Sequence, residues 1–263
     1  MRLRLVLQGA LIFGAFATLM FGQAVGGRMK DVPKGTKAKP TPRLADGKPD
    51  LGNGTGAWNP NTVANLTGTG RQGPGRSPVE KRFVAPFLPW AKEFYDKAQN
   101  NLAKDDPESR CLPPGIPRMM ATPFPFQIYQ LPDRIIQVWE GGAHMWRVIP
   151  MDGRPHSKDP DPWYLGEPRG RWEGDTLVVD NIAFNDRTWL DQDGTPHSDK
   201  LHVIERYTRV DELTLKYEYI IDDPGAYSET WSNSFNIPFV PGAELAEYVC
   251  QENNEDVYHM VGK

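Results

Sequence analysis

Apolar and polar residues alternate in short runs over most of the chain from position 124 onward. This alternation predicts eight strands, at 124–131, 134–140, 144–151, 164–172, 176–184, 200–210, 213–222 and 228–239. Eight consecutive strands with tight turns are typical of an up-and-down antiparallel barrel or of a strongly curled sheet. A barrel of about eight strands is just wide enough to hold one small ligand.

The clearest hairpin lies in the segment GRWEGDTLVVDNIAF, residues 170–184. A glycine between two acidic residues, flanked by tryptophan and a β-branched run, is a strong short-range signal for a turn between two strands. Gly174 can take the positive φ that a tight turn demands. We therefore place this hairpin in the middle of the predicted meander.

One helix, at 86–104, precedes the strands, with Pro89 suited to its first turn. Its apolar residues recur at i, i+4 spacing, namely Trp90, Phe94, Ala98 and Leu102. Residues 25–82 are rich in Gly, Pro, Asn and Lys without a sustained apolar period. We call this segment the arm; it is either an irregular wrap around the domain or a disordered linker. Residues 83–263 form the helix and barrel domain.

The first 24 residues have the pattern of a cleaved signal peptide. Arg2 and Arg4 form a basic start, residues 5–21 are almost entirely apolar, and Gly22-Gln23-Ala24 supplies small residues for cleavage after Ala24. The alternative is a retained membrane anchor. Cleavage is favoured, and we expect a periplasmic or secreted protein without stable membrane insertion.

Net charge restricts the partners. The formal net charge is −4, and removing Arg2 and Arg4 takes it to about −6. This balance argues against nucleic acid and anionic membrane surfaces, which attract basic patches. The oligomeric state stays open.

Cys111 and Cys250 are the two cysteines of the chain. In an oxidising compartment such a pair usually forms a disulfide. A catalytic thiol and a metal site are the alternatives, but two cysteines without a nearby histidine cluster make a poor metal site. We expect a structural disulfide.

A resemblance to a known family rests on several segments taken together. They are ADGKPDL, KDDPESRCLPPGIPRMM, PFPFQIYQ, IPMDGRP, GRWEGDTLVVDNIAFNDRTWLD, ERYTRVD and EYVCQENN. In these segments the chain resembles a large group of predicted exported proteins of soil and aquatic bacteria, mostly uncharacterised. The resemblance implies export and a β-barrel of lipocalin-like appearance, and it assigns no catalytic residue.

Strand parity places one carboxylate inside the predicted barrel. In strand 200–210, Leu201, Val203, Glu205 and Tyr207 share the more apolar face. Burial would raise the pKa of a carboxylate there unless an arginine pairs with it, and a carboxyl so tuned suits general acid or base catalysis. The alternatives are a buried ion pair that holds the barrel together and the opposite strand register.

Other candidates lie at a strand entrance and in two long loops. His144 follows Gly141-Gly142-Ala143 and is a natural proton shuttle. The loops 152–163 and 185–199 carry His156, Asp186 and His197, which meet if both loops cover the same barrel end. The predicted catalytic residues are Glu205, His144, Tyr207, Asp186 and His197. The predicted substrate-binding residues are Arg147, Trp139, Trp146, Tyr217, Tyr219, Trp231 and His156.

The motifs GxxxxGK[ST], HExxH, GxSxG and CxxC do not occur in the chain, and we expect neither a cofactor nor a metal. The sequence favours an enzyme that acts on a small aromatic or apolar compound by acid–base chemistry, as a lyase, hydratase or isomerase. A non-catalytic binding protein for a hydrophobic small molecule is the alternative. A haem binder using His259 is a third, weaker hypothesis.

Overall fold

The computed structural model describes residues 35–60, 65–69, 79–101 and 104–252. The predicted signal peptide and His259 lie outside these ranges. The strands are β1 Gly56–Trp58, β2 Phe126–Gln130, β3 Arg134–Trp139, β4 Trp146–Pro150, β5 Glu167–Glu173, β6 Thr176–Ile182, β7 His202–Asp211, β8 Thr214–Asp222 and β9 Trp231–Pro241. The helices are α1 Pro89–Asn100 and the single turn α2 Gly141–His144, with short 3-10 helices at Pro107–Arg110 and Arg118–Ala121.

The strands form one antiparallel sheet in the order β4-β3-β2-β1-β9-β8-β7-β6-β5. The sheet curls until its two end strands approach each other, which gives a nearly closed barrel. We call the line where β4 faces β5 the seam. A Cβ built on Gly170 of β5 would lie 2.8 Å from Ile149 Cγ2 of β4 and 2.3 Å from Met151 Sδ. The glycine therefore allows the close approach.

The barrel class is as predicted, and all eight predicted strands are present within a few residues. The predicted count of eight is wrong, because the arm contributes a ninth strand. β1 lies between β9 and β2, with Trp58 opposite both Phe126 and Phe239. A three-residue strand in a glycine-rich segment is too short to show alternation.

The inner face of the barrel carries the residues that strand parity predicted. Leu215, Tyr217, Tyr219 and Ile221 of β8 are all fully buried, as are Val203, Glu205 and Tyr207 of β7. Cross-strand pairing places one residue from each of five neighbouring strands, β5 to β9, in a row. These residues are Gly170, Val179, Glu205, Tyr219 and Asn233. The turn between β5 and β6 is also as predicted, with Gly174 at φ 59°.

Helix α1 is shorter than predicted, and Ala98 is the one member of the apolar i, i+4 set that is buried among the described residues. It starts at Pro89 and ends at Asn100, and its buried residues are Ala91 and Ala98. Trp90 and Phe94, predicted to face the core, remain 44% and 38% exposed. Trp90 Nε1 donates to the Gly225 carbonyl at 2.7 Å, so the ring lies along the surface rather than in the core.

The described part of the arm packs against the barrel rather than extending as a free linker. Thr41 Oγ1 donates to the Arg209 carbonyl at 2.6 Å, and Arg43 forms two hydrogen bonds with Asp175. Near the other end of the chain, Cys111 and Cys250 form the predicted disulfide, with their Cα atoms 5.7 Å apart. Within the described ranges, no helix is both long and apolar enough to cross a membrane.

Candidate functional site

A buried ion pair lies at the centre of the barrel interior. Glu205 projects inward from β7 and Arg147 from β4, and both side chains are almost completely buried. Arg147 Nη1 lies 2.8 Å from Glu205 Oε2, and Arg147 Nη2 donates to Glu205 Oε1 at 2.9 Å. The register predicted for strand 200–210 is therefore confirmed, and the arginine that could pair with Glu205 is present.

Two phenols complete the surroundings of the carboxylate. The hydroxyls of Tyr207 and Tyr217 donate to Glu205 Oε1 at 2.6 and 3.0 Å, and Tyr207 also accepts from Arg147 Nη2 at 2.8 Å. Burial raises the pKa of both phenols well above the ordinary value, and the negative charge of Glu205 raises it further. Both tyrosines are therefore neutral hydrogen-bond donors around a charged pair.

An amide and an aromatic ring lie next to the ion pair. Arg147 Nε donates to Gln137 Oε1 at 2.6 Å, and its guanidinium lies 5.8 Å from the centre of the Trp139 ring. The indole N–H groups of Trp139 and Trp231 point into buried space without a hydrogen-bond partner among the described residues. A buried N–H without an acceptor costs about 1–3 kcal/mol, so these groups are candidates for contact with a bound oxygen.

No protein-family model, curated protein or solved structure matches this chain.

We call Gln137, Arg147, Glu205, Tyr207 and Tyr217 the interior cluster. Four of these five were predicted as site residues, and the fold brings the cluster together from two hairpins, β3–β4 and β7–β8, that are distant from each other in sequence. Gln137 was missed, although its parity within 134–140 places a polar residue on the same face as Ile135 and Trp139. A polar residue on an otherwise apolar strand face was the available signal.

Trp146, predicted to bind substrate, does not lie with the interior cluster. Because side chains alternate along β4, Arg147 points inward and Trp146 points outward, where it is 62% exposed. His144 belongs to the helical turn α2, and β4 begins only at Trp146. His144 therefore precedes the strand that carries Arg147.

His156 lies on the outer face of the barrel. Its Nδ1 is 3.1 Å from Glu167 Oε2 and its Nε2 is 3.0 Å from Asp180 Oδ1, which also contacts His202 Nε2 at 3.0 Å. The interior cluster lies on the opposite face of the same sheet. In the described part of the chain, no group of three or more His, Cys, Asp and Glu side chains is arranged to hold a metal.

His197 and Asp186 lie apart from both the interior cluster and His156. His197 is buried beside Phe184, its ring contacts Thr188 Oγ1 at 2.8 Å and the Ser198 carbonyl at 3.0 Å, and burial lowers its pKa. Asp186 is exposed on the same loop. The loops 152–163 and 185–199 therefore do not bring His156 to His197 and Asp186, because His156 contacts Glu167 and Asp180 instead.

The arm also contains the spacing GxGxxG, at Gly68, Gly70 and Gly73. Dinucleotide binding by this motif needs a preceding strand and a following helix within a parallel βαβ unit. The sheet here is antiparallel throughout, and Gly68 lies in a turn of the arm. The spacing therefore does not indicate a dinucleotide site.

Proposed function

We propose that this protein acts on a small aromatic or otherwise apolar compound by cofactor-independent acid–base chemistry: elimination, hydration or isomerisation. The observation that supports the proposal is the interior cluster. It combines one carboxylate, one guanidinium and two neutral phenols in the buried interior of the barrel, next to the rings of Trp139 and Tyr219. Residue sets of this kind supply proton transfer and stabilise developing oxyanions.

In this proposal Glu205 transfers the proton. Its Oε1 already accepts two phenolic hydrogen bonds, so Oε2, which faces only Arg147 among the described residues, is the oxygen available to a substrate. Arg147 sits on the end strand β4, which has no ladder to β5 across the seam. A shift of Arg147 toward a substrate oxygen would free Glu205 and stabilise the negative charge that forms on that oxygen.

The aromatic walls account for the proposed substrate class. Trp139 lies beside Arg147 and Tyr219 beside Tyr217, with Trp231 edge-on to Tyr219. Flat apolar ligands gain stacking and edge contacts from such rings. The two indole N–H groups would donate to hydroxyl or carbonyl oxygens. A compound with an apolar body and one or two oxygens fits these donors.

The same ion pair also supports a second function, the binding of a ligand without catalysis. Both Glu205 oxygens contact Arg147, and the carboxylate is fully buried. A fixed ion pair that holds β4 against β7 would leave a protein that binds an apolar compound without transforming it.

One experiment separates the two functions. The purified mature protein is screened with phenolic and terpenoid compounds, and both binding and turnover are measured. Glu205→Gln should lower turnover by roughly 10²–10⁴-fold, the usual contribution of a positioned acid or base. Glu218→Gln, on the outer face of β8, is the matched control and should leave turnover unchanged. Binding that survives in both variants without any turnover would favour the binding protein.

We also propose that the chain is exported and processed after Ala24. The Cys111–Cys250 disulfide is compatible with an oxidising compartment, and the resemblance to exported bacterial proteins agrees with this. Mass spectrometry of the protein purified from its host should find an N-terminus at Val25. A mature chain that starts at Met1 would contradict the proposal.

A further inference from the structure

A cleft of about 670 Å³ lies at one end of the barrel, between the arm and the seam. The arm contributes Leu44 and Lys48, and the turn after β2 contributes Leu131. Its floor includes Ile135 of β3, Met151 after β4 and Trp172 of β5. None of the residues that line it belongs to the interior cluster.

We propose that this cleft is a second binding site, for a small molecule with an aromatic or apolar body and one anionic group. The Trp172 ring would contact the apolar body, and the Lys48 ammonium would pair with the anion. The inference does not depend on the chemistry proposed for Glu205.

The size and surface of the cleft fit a small ligand. Ligand sites commonly enclose 300–1,000 Å³ and are lined mainly by apolar side chains with a few polar groups. Met151 and Trp172 are only half-buried although they pack against the core, and Leu131 is 46% exposed. A ligand body would therefore cover apolar surface that now faces water.

The charges around the cleft point to an anion. Lys48 Nζ lies 5.6 Å from the centre of the Trp172 ring, and no ion pair joins it to a carboxylate among the described residues. Asp175, which is close enough for the Lys48 charge to lower its pKa, already accepts two hydrogen bonds from Arg43. The other cation of the lining, Arg171, already forms two hydrogen bonds with Glu173. Asp46 also borders the cleft, but it is exposed and its Oδ1 accepts the Lys48 main-chain N–H at 3.0 Å. Lys48 is thus the cation available to a ligand.

The arm wall is held in place on both sides of the cleft. Arg43 Nη1 and Nη2 donate to the Asp175 carboxylate at 2.8 and 2.5 Å. The Gln130 amide accepts from the Leu51 N–H at 2.6 Å and donates to the Pro49 carbonyl at 3.0 Å. A ligand would therefore meet a preformed wall and would not have to order it.

Two dyes that differ in charge test the site. The probes are 8-anilinonaphthalene-1-sulfonate and the uncharged N-phenyl-1-naphthylamine, titrated into the mature protein. Lys48→Ala should weaken binding of the sulfonate about tenfold, as expected for the loss of a charge-assisted contact, and should leave the uncharged dye unchanged. Lys48→Arg should retain the sulfonate. Lys200→Ala, at an exposed lysine outside the cleft, is the control.

A second measurement locates the dye. Trp172→Phe keeps an aromatic wall, so it should preserve affinity while it lowers energy transfer from tryptophan to the bound dye. Glu205→Gln should leave dye binding unchanged as long as it stays folded, which separates this site from the interior cluster. The proposal would be overturned if Lys48→Ala lost affinity for both dyes equally or kept its affinity for the sulfonate. It would also be overturned if neither dye showed saturable binding.

Discussion

Arg147 and Glu205 meet across the interior of the barrel, 2.8 Å apart, although their strands β4 and β7 are far apart along the curled sheet. β4 ends one side of that sheet and, among the strands that the structure describes, has no hydrogen-bonded neighbour at the seam. The ion pair therefore connects an end strand to the opposite wall by side chains instead of a ladder. Its role in stability can be separated from any role in catalysis.

We expect Glu205→Gln to lower the free energy of unfolding by about 3 kcal/mol, because it leaves a buried guanidinium without its counter-charge. Arg147→Met should cost a similar amount for the converse reason. The double variant should be no less stable than either single variant, since neither charge is then left unpaired. Denaturant unfolding of the unaltered protein, the two single variants and the double variant gives the coupling free energy between the two side chains. Strictly additive losses of stability would mean that the two side chains do not interact.

The disulfide should contribute strongly to stability. Cys111 and Cys250 are 139 residues apart, and closing a loop of that length restricts the unfolded chain by roughly 5 kcal/mol in the chain-entropy model. Replacing both cysteines by serine should lower the melting temperature substantially. Thiol titration of the native sequence under denaturing, non-reducing conditions should find no free thiol, and two reactive groups would refute the assignment.

The local alternation of apolar and polar residues was sufficient to predict most strands and the inward position of Glu205. Alternation within 200–210 and 213–222 fixes which side chains share a face, and the neighbouring apolar rows decide which face is buried. The same reasoning could not identify Arg147 as the partner. That contact depends on how the sheet closes, and closure is set by contacts between strands that are distant in sequence.

The predictions that were wrong, for β1, for helix α1 and for the two long loops, have similar physical causes. β1 is too short to show a period, and it is held by β9 and β2 rather than by its own propensity. In α1, tertiary contacts overrode the apolar period: Ala91 packs into the core and Ala98 against Trp189 of the loop 185–199, whereas Trp90 and Phe94 stay partly exposed. The two long loops gave no signal of which barrel face each would cover, so His156 and His197 were wrongly grouped.

The seam should be sensitive to added volume at Gly170. A Cβ there would lie 2.3 Å from Met151 Sδ and 2.8 Å from Ile149 Cγ2, so β4 and β5 would have to move apart. We expect Gly170→Ala to lower the melting temperature and Met151→Ala to restore part of the loss in the double variant. Gly174→Asn, in a turn where a Cβ meets nothing within 4 Å, is the control and should have a smaller effect.

The interior phenols should resist ionisation. Burial raises the pKa of Tyr207, Tyr217, Tyr219 and Tyr227 well above the ordinary value of 10.0. Alkaline difference spectroscopy of the folded protein between pH 10 and pH 11 should therefore detect markedly fewer than the nine tyrosines of the chain. The denatured protein should titrate all nine. Full ionisation without unfolding would mean that water reaches the interior cluster.

Acid should weaken the cluster around His156 on the outer face. Burial acts to raise the pKa of Glu167, but hydrogen bonds from Ser157 and His156 and the charge of Arg169 outweigh it and lower the pKa from 4.5 to about 2. A carboxylate whose pKa is lowered on folding stabilises the folded state above pH 4.5, and this contribution is lost as the pH falls toward 2. Denaturant unfolding between pH 6 and pH 2 should therefore show a smaller acid-dependent loss of stability in Glu167→Gln than in the unaltered protein. Glu229→Gln, at an exposed carboxylate before β9, should keep the original pH dependence. Parallel curves for the unaltered protein and Glu167→Gln would show that these hydrogen bonds do not form in solution.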